Sequence, residues 1–94
     1  MSIKRINQFQ AQEAKGEDLF EFLQSILPLI TGSQGCFSCE LMRDVDNPLS
    51  FVILEEWDSI ESHQNSAQNI PPKKLKAAMS LLSAPPTGHY YQIE

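Results

Sequence analysis

Apolar residues recur along the chain with two different periods, and each change of period marks a new element. Over residues 3–12 the apolar and polar positions alternate imperfectly, with Ile3, Arg5, Asn7, Phe9 and Ala11 on one side, which predicts a strand. Leu19, Phe22, Leu23, Ile26, Leu27 and Ile30 then fall at i, i+3, i+4, i+7, i+8 and i+11. That spacing predicts a one-sided amphipathic helix, with Glu17 and Asp18 at its positive end. Pro28 lies inside this run and removes the N–H that would bond residue 24, so a kink or an early end is expected there. Residues 36–44 and 50–57 read as the strands of a hairpin joined by Asp44-Val45-Asp46-Asn47-Pro48. A short helix follows, capped by Asp58 or Ser59 with Glu61 in its first turn. Pro71-Pro72 opens another, with Leu75, Ala78, Met79 and Leu82 as its buried stripe, and residues 89–94 read as a last strand. The order predicts an α+β fold: a ferredoxin-like β-α-β-β-α-β antiparallel sheet with helices on one face, as a single domain over residues 1–94.

The strand over residues 50–57 carries Phe51 and Ile53 on one face and Val52 and Leu54 on the other. Helices on one side leave the second apolar face uncovered, and a sheet apolar on both faces is buried on both. A homodimer packed sheet to sheet is therefore expected, the alternative being a half-exposed strand.

Composition narrows the classes. Ninety-four residues give one core, and such a chain buries only roughly 60–65% of its unfolded surface. Seven Lys and Arg against twelve Asp and Glu leave a net charge of −5, which excludes a basic nucleic-acid footprint. The longest unbroken apolar run is Phe51 to Leu54, far short of a membrane span, and the first residues lack the apolar segment of a leader, so a cytoplasmic address is expected.

Candidate chemistry is sparse. Cys36-x-x-Cys39 invites a redox or zinc reading, but residues three apart in a regular strand face opposite ways, roughly 10 Å apart, and there is no third cysteine. Two buried, reduced thiols are expected. Glu55, Glu56, Asp58 and Glu61 read as capping and solvated carboxylates, and Lys73, Lys74 and Lys76 as a solvated helix face or a small anion site. His63 shares a helix face with Ile60 and Ala67, where its imidazole is placed either as a general base near neutral pH or as an ordinary half-exposed histidine. Arg5 and Asn7 stand among inward apolar groups and read as a pocket lining, unless the register slips by one and both face water. Trp57, the sole tryptophan, is either the aromatic wall of a cavity or a packing residue at the end of its strand.

Gly35-Cys36, the acidic-proline hairpin Asp44 to Pro48, and Phe51 to Ser59 with its Glu56-Trp57 resemble the antibiotic-biosynthesis monooxygenase domain. The resemblance runs over nearly the whole chain and implies a dimeric α+β barrel. It further implies oxygenation of a small phenolic or quinol-like aromatic compound without a cofactor, with Trp57 at a family position. A haem-degrading branch places an asparagine on the first strand and a tryptophan and a histidine on the helix after the third. Asn7 lies on that strand, but the helix has no tryptophan, so haem is disfavoured. The second expectation, of a different class, is a non-catalytic dimeric module that holds a small hydrophobic ligand.

Overall fold

A computed structural model describes residues 2–94. Four strands form one antiparallel sheet: β1 (Ile3–Gln10), β2 (Cys36–Arg43), β3 (Ser50–Trp57) and β4 (Thr87–Tyr91), in the spatial order β2-β3-β1-β4. Helices α1 (Gly16–Thr31), α2 (Ile60–Ser66) and α3 (Pro72–Met79) complete the ferredoxin-like α+β fold, with one 3₁₀ turn at Ala67–Asn69 between α2 and α3. Among the described residues no helix is long and apolar enough to cross a membrane.

The core follows from strand parity. Phe51, Ile53, Glu55 and Trp57 are buried, while Val52, Leu54 and Glu56 on the other face are half-buried. Register fixes the neighbours: Phe9, Asn7 and Arg5 of β1 oppose Phe51, Ile53 and Glu55, and so face the helices. Leu19, Leu23, Ile26 and Ile30 of α1 close on that surface, each at most 8% exposed. The opposite face carries Ile6, Val52 and Leu54, with Met42 and Tyr91 exposed beside them.

Several expectations are corrected. Helix α1 does not end early at Pro28 but continues to Thr31. Gln24, whose carbonyl loses its partner, is exposed, as is Pro28, so water can satisfy that group. Strand β4 starts at Thr87 and stops at Tyr91, because β1 offers it only Lys4 to Gln8 as partners. The expected stripe of the last helix is only partly buried: α3 ends at Met79, Ala78 is buried, Leu75 and Met79 are 45% and 54% exposed, and Leu82 is buried beyond the helix, bridged to Ala11. The cysteine geometry also differs. A bulge between Cys36 and Ser38 inserts one residue into β2, so that Cys36 opposes Trp57 and Cys39 opposes Glu55, on one face rather than two. Both thiols are free and half-buried against the core. Burial, reinforced by Glu55, pushes Cys39 up to about 12 and raises Cys36 as well.

Gly35 precedes the bulge with φ of 90°, a conformation that suits glycine, and a Cβ there would strike Ser62 and Asp58 at the start of α2. That close approach fixes α2 over the end of β3, where the polar side chains gather.

Candidate functional site

A cavity of about 380 Å³ lies between the helix-side face of the sheet and the helices. Its walls are mainly apolar, with Phe9 and Ile53 from the sheet, Phe22, Ile26 and Ile30 from α1, and Leu75, Ala78 and Met79 from α3. Asn7, Glu55, His63 and Ser66 supply polar groups to this apolar lining. A larger crevice of about 550 Å³ lies between α2 and the end of α1, lined by Pro28, Leu29 and Gly32 and by Ser, Asn and Gln side chains, with no titratable group. The chemistry belongs to the smaller cavity.

Glu55 is the centre of the polar cluster, and its side chain is 4% exposed. Trp57 Nε1 donates to its Oε1 at 2.8 Å, and Asn7 Nδ2 donates to its Oε2 at 2.7 Å. Arg5 Nε in turn donates to Asn7 Oδ1 at 2.9 Å, which fixes which way the asparagine amide points. The Arg5 guanidinium lies 4.6 Å from the centre of the Tyr90 ring. His63 stands between: its Nε2 is 3.8 Å from Glu55 Oε1, and its Nδ1 is 2.6 Å from the Tyr90 hydroxyl. The imidazole also meets the rings of Trp57 and Tyr90 edge to face, at 5.4 and 5.3 Å.

Burial raises the Glu55 carboxyl above the ordinary carboxylate range, although the Trp57 and Asn7 hydrogen bonds and the Arg5 charge oppose the shift. Burial lowers the His63 imidazole, and Arg5 lowers it further, so it is neutral at neutral pH. A neutral imidazole would turn a lone pair toward the Glu55 carboxylate unless Nε2 carries its hydrogen. That tautomer is the favourable one, and the Tyr90 hydroxyl then donates to Nδ1. The arrangement leaves the Asn7 amide one N–H not committed to Glu55. The cavity thus combines a carboxyl biased toward proton uptake, an amide donor and an apolar ring-sized space.

The four residues singled out from sequence therefore take different places. Asn7 and His63 line the cavity; Arg5 and Trp57 are not in the lining and reach it through Asn7 and Glu55. Trp57 is fully buried. The expectation of a solvated Glu55 is wrong, and the reason is parity: it falls in the inward series Phe51, Ile53, Glu55, Trp57 of the most buried strand. That alternation was the signal available for it. Tyr90 was missed because it lies on a short edge strand whose inward positions are Gly88 and Tyr90. Gly88 leaves room for this arrangement, since a Cβ there would meet the Arg5 guanidinium and Asn7 Oδ1 and displace them.

The family profile described as antibiotic biosynthesis monooxygenase matches residues 2–78. Among curated proteins, none matches the chain. Solved structures do. Rv0793 from Mycobacterium tuberculosis aligns with a TM-score of 0.85 at 16% identity, over 100% of this chain and 96% of that one. A conserved protein of Methanosarcina mazei Go1 gives 0.86 at 15% identity, over 100% and 94%. A candidate antibiotic biosynthesis monooxygenase of Bordetella bronchiseptica gives 0.83 at 21% identity, over 99% and 97%. At these identities the structural likeness establishes the fold.

Proposed function

The chain belongs to the antibiotic biosynthesis monooxygenase family, and from that premise we propose that it oxygenates a small phenolic or quinol-like aromatic compound without a cofactor. The observation that carries this reading is Glu55, a buried carboxyl with a raised pKa on the wall of a mainly apolar cavity. Such a carboxyl takes up a phenolic proton near neutral pH better than an ordinary one. The free N–H of Asn7 is available to the phenolate oxygen, and the neutral His63 presents Nε2–H to Glu55. The resulting phenolate is electron-rich enough to reduce dioxygen itself. For a phenol with an open para carbon the balance is phenol plus O₂ to para-quinone plus water: one oxygen atom enters the ring, the other leaves as water, and the substrate supplies all four electrons. The apolar walls exclude water from the intermediate. Arg5 and Trp57 act as positioning residues, holding Asn7 and Glu55.

Purified protein stripped of metal and flavin is expected to consume oxygen with naphthols, releasing the para-quinone and water, and with quinols, releasing the hydroxyquinone and water. Binding of the same compounds with no oxygen uptake would instead establish the non-catalytic ligand module.

The assembly proposed is a homodimer through the outer sheet face. Ile6, Val52, Leu54 and Met42 form an apolar patch at the centre of that face, bordered by Lys4, Gln8, Glu40 and Glu56, while the helices cover only the other face. Light scattering is expected to return twice the 10.6 kDa chain mass. Val52→Glu, which desolvates a carboxylate in such an interface, is expected to give monomer. A parent protein that stays monomeric at micromolar concentration would refute the sheet-to-sheet arrangement.

A further inference from the structure

Four of the chain's seven cations are occupied. Lys4 meets Glu56 at 3.4 Å, Lys15 meets Asp18 at 3.9 Å, Arg43 meets Glu17 at 3.0 Å, and Arg5 serves Asn7 and Tyr90. The other three, Lys73, Lys74 and Lys76, lie in α3 and have no acidic partner among the described residues. In a chain with twelve acids and a net charge of −5, unpaired cations gathered within four residues are a local reversal of sign. Lys73 and Lys74 stand in the first turn of α3, where positive charge opposes the helix dipole, so helix stability does not account for those two; Lys76 lies in the last turn.

Their position relative to the cavity gives them a use. At about 100° per residue, Leu75, Ala78 and Met79 form one stripe of α3, Lys74 and Lys76 flank it on either side, and Lys73 points away. Leu75 and Met79 line the cavity and are also about half exposed, so this edge of α3 is the rim. A ligand longer than the cavity leaves over Leu75 and Met79, between two ammonium groups whose aliphatic stems can lie along it. The negative field of the rest of the chain would otherwise repel an anionic ligand.

The geometry points to an amphiphilic ligand: a hydroxylated aromatic ring that enters toward Glu55, joined to an anionic substituent held at the rim by Lys74 and Lys76. This rests on the cavity being the binding site. An anionic lipid surface is the less suitable occupant, because an eight-residue helix on a chain of net charge −5 offers little to hold it.

The test is a matched pair, 6-(6-hydroxy-2-naphthyl)hexanoate and its primary amide, titrated calorimetrically at low and high salt. The carboxylate is expected to bind about tenfold tighter than the amide at low salt, the scale of two partly exposed ion pairs, and high salt should narrow the gap. Lys74→Gln with Lys76→Gln should erase the preference without changing affinity for the amide, whereas Lys73→Gln should preserve it. Equal binding of the two compounds to the parent protein would overturn the inference and leave the cavity reading intact. Failure of both compounds to bind would overturn the cavity reading and this inference with it. Retention on phosphatidylglycerol vesicles that is lost in the double variant, with no carboxylate preference, would assign the lysines to a lipid surface and overturn the proposal.

Discussion

Glu55→Gln is expected to lower the rate of quinol-dependent oxygen uptake by about 10²–10⁴-fold in a chain that stays folded, the range for losing a positioned general base. The amide keeps the size of the carboxyl and one acceptor for Trp57 Nε1. Its N–H₂ cannot accept from Asn7 Nδ2, and Asn7 cannot turn around, because Arg5 Nε needs its Oδ1. One donor is therefore left unpaired, which costs about 1–3 kcal/mol, while the desolvated charge is removed. The pH profile separates roles. A base works when ionised, so the parent rate should rise with pH through the raised value of Glu55, above the ordinary carboxylate range. The variant should lack that limb. Stability runs the other way. A carboxyl raised in the folded state contributes stability that is present at low pH and is lost as pH rises from the ordinary carboxylate value through the raised one. The melting temperature of Glu55→Gln should vary less over that window. A variant that keeps its rate within a few-fold would make His63 the proton acceptor in place of Glu55.

Trp57→Phe is expected to act first on stability, by about 3 kcal/mol. The indole is completely buried and donates to a buried carboxyl, so phenylalanine leaves both a void and an acceptor short of one donor. For a domain of this size that loss corresponds to a fall of more than about 10 °C in melting temperature, measurable by calorimetry. Because Trp57 does not line the cavity, affinity for a naphthol per folded molecule should change little. Its hydrogen bond also lowers the Glu55 pKa, so the rising limb of the rate profile should move to higher pH in the variant. Ligand affinity reduced tenfold with no change in melting temperature would place the indole against the ligand instead.

The fold was legible because it rests on periodicity. The run Leu19 to Ile30 has one reading, and the alternation of residues 50–57 marks a strand with two apolar faces. Features that depend on one inserted or omitted group were not legible. Nothing in Cys36-Phe37-Ser38-Cys39 announces the bulge that brings both thiols to one face. Nor does sequence say that Pro28 sits on the solvent side of its helix, where a lost hydrogen bond costs little. The site was half legible. Asn7 and His63 stood out as polar residues on apolar faces. Glu55 was concealed by Glu56, Asp58 and Glu61, since a run of acids reads as surface unless strand parity is followed through it.

Strand β4 is held to the sheet through β1 alone, over five residues, and it carries Tyr90. Edge strands are among the first parts of a sheet to fray on warming. When this one lifts, the hydroxyl leaves His63 Nδ1 and the ring leaves the Arg5 guanidinium, although none of the fully buried side chains has moved. His63 is then free to change tautomer and Arg5 to release Asn7, so the cluster loses its geometry while the core is intact. Thermal inactivation would precede thermal denaturation, and the span between the two temperatures is set by the pairing of Thr87–Tyr91 with the first strand.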